Sequence, residues 1–135
     1  MEIEQHPNTS AEAKIGRLKY QTIVTSGGHT IVSDEPVADG GADTGMKPFG
    51  LLLASLASCT VITLRMYIDR KMWMVDEISV QLELFKSSEG VDIRSHLSFE
   101  GELTDDQRKR LINIANACPV HKLLVGKVAI HTALS

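Results

Sequence analysis

The hydrophobic and polar positions change their rhythm along this chain, and each rhythm predicts a different element. Residues 1–13 are polar and aperiodic, so residues 1–14 are expected to form an N-terminal arm ahead of a single domain over 15–135. From 15 to 25, IGRLKYQTIVT alternates as a strand does, Gly27-Gly28 supplies the positive φ angles of a tight turn, and HTIVSDEP reads as the return strand. The stretch VADGGADTGMK is a loop. From Pro48 to about Tyr67 the chain is apolar on every side, with Pro48 suited to a first helical turn, which predicts a buried helix. A helix of that kind needs cover all round, and in so short a chain a second copy is the economical source of it.

After DRK, VDEISVQLELFKS and GVDIRSHLSFEGEL alternate on either side of a turn at Ser87–Gly90 and predict a second hairpin. Thr104 with Gln107 forms a capping-box pattern, and Leu111, Ile112, Ile114 and Ala115 give an inward stripe for a helix over about 105–117. Cys118-Pro119 interrupts it, VHKLLVG restarts a short helix, and KVAIHTAL is expected to close the chain as a strand. The expected order is ββαββααβ. Helices and strands come in runs, so the fold class is α+β with largely antiparallel sheets.

Composition narrows the function more than the fold. The chain has 135 residues, 43% hydrophobic and 23% charged, with a net charge of -3. That balance gives no attraction to nucleic acid or to an anionic membrane surface. No basic region followed by an apolar stretch opens the chain, so the expected location is the cytoplasm. The uncharged run between Lys47 and Arg65 is short for a membrane span and carries serines, threonines and a cysteine, so no membrane partner is expected. Two cysteines are too few for a secreted disulfide scaffold. They are either inert core residues or a reactive pair.

Position separates the two thiols. Cys59 sits in the middle of the apolar helix, where a small core filler is the ordinary role. Cys118 stands directly before Pro119 at a helix start, where free N–H groups favour a thiolate. His121, three residues on, is either a surface histidine or a support for that thiolate. Cys-x-x-His spacing can chelate, yet a structural zinc site takes four ligands and the remaining histidines (His6, His29, His96 and His131) are scattered, so neither metal nor cofactor is expected. GGADTGMKP departs from a phosphate-binding loop, because Met46 separates Gly45 from Lys47 and no Ser or Thr follows the lysine. No Gly-x-Ser-x-Gly elbow of a hydrolase occurs.

The blocks GGHTIVSDEP, P-x-x-LLLASLASCT-x-ITLRMY-x-DRK-x-W and ANACPVHKLL occur in order over about 15–134, and together they resemble the OsmC/Ohr superfamily, in the branch with SDEP and CPVH motifs. The resemblance implies an intertwined homodimer with sheets wrapped around long central helices. It implies thiol-dependent reduction of organic hydroperoxides, with Cys59 as the peroxidatic thiol, Cys118 as the resolving thiol and a dithiol such as a lipoyl protein as reductant. An apolar substrate pocket would then lie beside Leu51, Leu52, Leu56, Met66 and Trp73. Gly50 stands where the resemblance implies a glutamate, and no arginine lies in 26–47 to match the family's guanidinium. Lys47, Asp34 and Glu35 are left as substitutes or as ordinary turn residues, and Arg17 and Arg65 are the nearest arginines. The alternative is a non-catalytic dimer of this fold that holds an apolar small molecule or partner in the same pocket.

Overall fold

The computed structural model describes residues 7–135, and its contacts divide the chain into two compact units, Met1–Leu52 and Leu53–Ser135. In the first, β1 (Glu12–Ile15), β2 (Thr22–Ser26) and β3 (His29–Ser33) form an antiparallel sheet in that order. The single strand expected over 15–25 is therefore broken. Residues 16–21 leave the extended course, and β1 begins inside the stretch expected as an arm, folding back so that Ile15 faces Thr22. Ser26 pairs with His29 across Gly27 and Gly28, whose φ angles of 58° and 80° are those a two-residue hairpin turn requires. His6 lies outside the described residues.

Beyond β3 the chain makes a 3₁₀ turn at Val37–Asp39 and returns to Ser33 through a parallel bridge at Met46. It then enters α1 (Pro48–Lys71), with Pro48 in the first turn, where no intrahelical donor is needed. The helix outlasts the expected stop. Arg70 and Lys71 occupy its last turn, where cations suit the dipole, and the end is closed by Met72 N–H to Asp69 O (3.1 Å) and Trp73 N–H to Ile68 O (3.1 Å). Met72 sits at φ 57°, a position that glycine usually takes in this cap.

In the second unit, β4 (Val75–Ser87) and β5 (Gly90–Gly101) pair as a long antiparallel ribbon. Ile78, Val80, Leu82 and Leu84 form its half-buried face, as the alternation predicts. The register shifts between Val75 and Glu77, opposite Gly101. Gly101 has φ 150°, and a Cβ there would come within 2.5 Å of Met74 O, so this crossing demands glycine.

Helix α2 (Asp105–Ala115) carries the full capping box, with Thr104 Oγ1 accepting from Gln107 N–H and the Gln107 side chain accepting from Thr104 N–H. Its Leu111 and Ala115 meet Leu64, Ile68 and Val75 in the core, flanked by Tyr67, Trp73, Ile78, Leu97, Phe99, Leu103 and Ile114. Helix α3 (Pro119–Val125) follows. The closing strand expected at KVAIHTAL does not form. Ile130 is 84% and Leu134 99% exposed, and among the described residues no strand pairs with this segment, so its alternation buries no apolar face. The fold is α+β, with two antiparallel sheets and one long apolar helix.

Candidate thiol site

Helix α1 buries Leu56, Thr60, Leu64 and Ile68, four residues spaced by four along one face. Away from that stripe, Ile62 is 50% and Met66 59% exposed. Cys59 lies mid-helix and half-buried, next in sequence to Thr60 of the stripe. The site thus grows from the junction of a covered and an uncovered helix face.

Cys118 is fully buried. It caps α3 with extended backbone, held by its N–H to Ala115 O (3.2 Å) and its carbonyl to Lys122 N–H (3.1 Å). Pro119 then starts α3 with the φ it already favours. The Cys118 sulfur accepts the His121 backbone N–H at 3.3 Å, in the way an oxygen cap would. It also lies 3.8 Å from Thr60 Oγ1. That contact sets Cys118 against the turn of α1 that carries Cys59, so two thiols 59 positions apart in sequence lie near each other. His121 reaches the sulfur through its peptide group.

The nearby arginine is committed elsewhere. Arg65 donates to Val75 O (2.9 Å) and Asp76 O (3.5 Å) and pairs with Asp69 at 3.4 Å, tying α1 to the start of β4. Gly50 is not enforced by packing, since a Cβ there would meet only Lys47 Cγ at 3.8 Å and Met46 Cβ at 3.9 Å. Among the residues expected to line an apolar pocket, Leu56 is buried, Met66 is exposed and Trp73 stacks edge-on against Tyr67 at 5.7 Å. A cleft of about 380 Å³ opens between β5 and α2, lined in part by His96, Phe99, Arg108 and Ile112. Among the described residues no three His, Cys, Asp or Glu side chains converge as a metal would require.

Asp34 proves to be a structural hub of the first unit. Only 2% exposed, it accepts hydrogen bonds from the Thr44 hydroxyl and from the backbone N–H groups of Tyr20, Glu35, Ala42 and Thr44. The Thr44 hydroxyl foremost, then the N–H groups of Thr44, Glu35 and Tyr20, holds its carboxyl well below the usual carboxylate range, against a desolvation effect of opposite sign. The SDEP motif therefore earns its aspartate as the anchor of the 35–46 loop. Thr44 and Thr60 carry no distinguishing signal in the sequence.

The sequence profile described as OsmC-like protein matches residues 40–133. No curated protein sequence matches the chain. Among solved structures, an OsmC-like protein from Mycoplasma pneumoniae superposes with a TM-score of 0.76 at 20% identity, covering 89% of each chain. An organic hydroperoxide resistance protein OsmC from Legionella pneumophila gives 0.63 at 21% identity, over 91% of this chain and 93% of that one. The organic hydroperoxide resistance protein OhrB of Bacillus subtilis gives 0.60 at 26%, over 88% and 91%.

Proposed function

The chain belongs to the OsmC-like protein family, and on that footing we propose that it is a thiol-dependent peroxidase that reduces organic hydroperoxides through Cys59 and Cys118. The observation that supports the reading is the burial of Cys118 against the α1 turn beside Cys59. Relatives named for organic hydroperoxide resistance share the fold and suggest the substrate class.

The chemistry follows from sulfur. The Cys59 thiolate attacks the peroxide's terminal oxygen, the O–O bond breaks, and the alkoxide leaves and takes a proton to become the alcohol. Cys59 is then a sulfenic acid. The Cys118 sulfur displaces its hydroxyl as water and closes a disulfide. A dithiol donor, of the lipoyl-protein kind, restores both thiols by two exchanges and is itself oxidised to a disulfide. Burial of Cys118 protects the resolving thiol from the bulk peroxide that Cys59, half-buried, is placed to meet.

The working protein is proposed to be a soluble, cytoplasmic homodimer. An 18-residue window of α1 has mean hydropathy 1.7 with 22% of it buried, and Ile62 and Met66 are left in solvent. A second copy covers such a face by packing the same apolar stripe against it. The second reading, a non-catalytic dimer that binds an apolar ligand, is favoured by two features: Arg65 is occupied at β4, and Gly50 offers no carboxylate.

Turnover assays with cumene hydroperoxide and a dihydrolipoyl donor separate the two. Loss of peroxide consumption in both Cys59→Ser and Cys118→Ser is expected for the peroxidase. Undiminished consumption in either variant removes that cysteine from the mechanism, and no consumption by the unaltered protein favours the binder.

A further inference from the structure

Thr60 is buried to 4% exposure, and its Oγ1 lies between two partners: Leu56 O at 2.8 Å and the Cys118 sulfur at 3.8 Å. A hydroxyl has one proton and two acceptor sites. It therefore has two settings here. While Cys118 is a thiol, its S–H donates to Thr60 Oγ1, and the Thr60 proton points to Leu56 O, the ordinary back-bond of a threonine within a helix. As the sulfur gains negative charge, the hydroxyl turns its proton from Leu56 O to the sulfur, where it joins the His121 N–H as a second donor.

We propose that Thr60 is a positioning residue for Cys118, a hydroxyl switch that orients the resolving sulfur as a thiol and supports its developing charge as it attacks Cys59. The proposal rests on the peroxidase reading. The step it serves is balanced: the Cys118 sulfur bonds to the Cys59 sulfur, the S–O bond of the sulfenic acid breaks, and the departing hydroxide leaves as water with the Cys118 proton. Among the described residues the hydrogen-bond partners of the Cys118 sulfur are the Thr60 hydroxyl and the His121 N–H, both neutral groups on helices. In a fully buried site, a neutral donor aimed at sulfur counts for more than it does in water.

Two substitutions separate the hydroxyl from the methyl group of Thr60. Thr60→Val keeps the shape and removes the hydroxyl, whereas Thr60→Ser keeps the hydroxyl and removes the methyl. Thr60→Ala, a smaller hydroxyl-free variant, stands in if the valine protein does not fold. The first readout is independent of peroxide. In a Cys59→Ser background only Cys118 contributes to the infrared S–H stretching band, because the chain has two cysteines. That band is expected to move to higher frequency with valine and to stay in place with serine.

The second readout adds one equivalent of cumene hydroperoxide in the presence of dimedone, which traps sulfenic acid, and measures the ratio of Cys59–Cys118 disulfide to Cys59 adduct by mass spectrometry. Valine is expected to lower that ratio about tenfold, the scale of one lost hydrogen bond to a charged group. Serine should leave it unchanged. Equal loss in valine and serine variants, or an unmoved band with an unmoved ratio, overturns the switch while leaving the peroxidase reading intact. Neither disulfide nor adduct in the unaltered protein overturns that reading, and the resolving role of Thr60 with it, even where the infrared shift is seen.

Discussion

In the first unit the described residues bury a serine and a carboxylate, and in the second they bury leucines, an isoleucine, a valine, an alanine, a threonine and a thiol. The three-stranded sheet leaves Ile15, Ile23 and Ile31 about half exposed, so apolar burial does little to order it. Its connecting loop is organised by directional hydrogen bonds that converge on Asp34. The second unit is organised by the packing of α1, α2 and β4 around Leu64, Ile68 and Leu111. The difference teaches where the chemistry belongs. Cys118, the sulfur proposed to resolve the sulfenic acid, is set into the close-packed unit, beside a hydroxyl that is itself buried.

The strongest way to break this comparison is to remove apolar bulk from the second unit. Leu111→Ala empties a fully buried position and should destabilise that unit by about 2–5 kcal/mol, read by chemical denaturation. Amide exchange should show the loss in β4 and α2. A cost under about 1 kcal/mol would mean that the core does not carry the unit.

The counterpart in the first unit is Asp34→Asn, which removes the charge while keeping the shape. The amides of Glu35, Ala42 and Thr44 should lose protection from exchange, with the β4–β5 amides unaffected. The pH dependence has a definite sign. The Asp34 carboxyl is held below its ordinary value, so its stabilisation is complete above the unfolded-state value of about 3.9 and declines as pH falls below it. The asparagine variant should lack that acid-side loss, and an identical acid profile in both proteins would contradict the hub. The smallest effect is expected at the α1 cap. Met72→Gly relieves a left-handed position and should raise the melting temperature of the second unit, by a stabilisation of about 0.5–1 kcal/mol.

What could be read from the sequence was local. The Gly27-Gly28 turn, the Thr104/Gln107 capping box and the alternation of β4 each depend on neighbours within a few residues, and each forms as expected. The cap at Cys118-Pro119 was legible for the same reason. Where the outcome depends on a distant partner, the pattern was not enough. The break at 16–21 arises because β1 turns back onto β2, and the KVAIHTAL segment pairs with no strand among the described residues despite its alternation. Asp34 reads as a turn residue until four backbone N–H groups from separate segments are seen converging on it. Arg65 is one of the arginines nearest to Cys59 in the sequence, yet carbonyls ten and eleven residues on hold it. Thr60 is indistinguishable from its helical neighbours until the sulfur of residue 118 arrives beside it.

The covalent union of two sulfurs is the claim on which the functional account stands, and one mass measurement addresses it. The unaltered protein, treated with one equivalent of cumene hydroperoxide, alkylated without reductant and digested, should yield a peptide pair joined through Cys59 and Cys118 and no free thiol at either position. Recovery of both cysteines as alkylated thiols, with the hydroperoxide unconsumed, would contradict it.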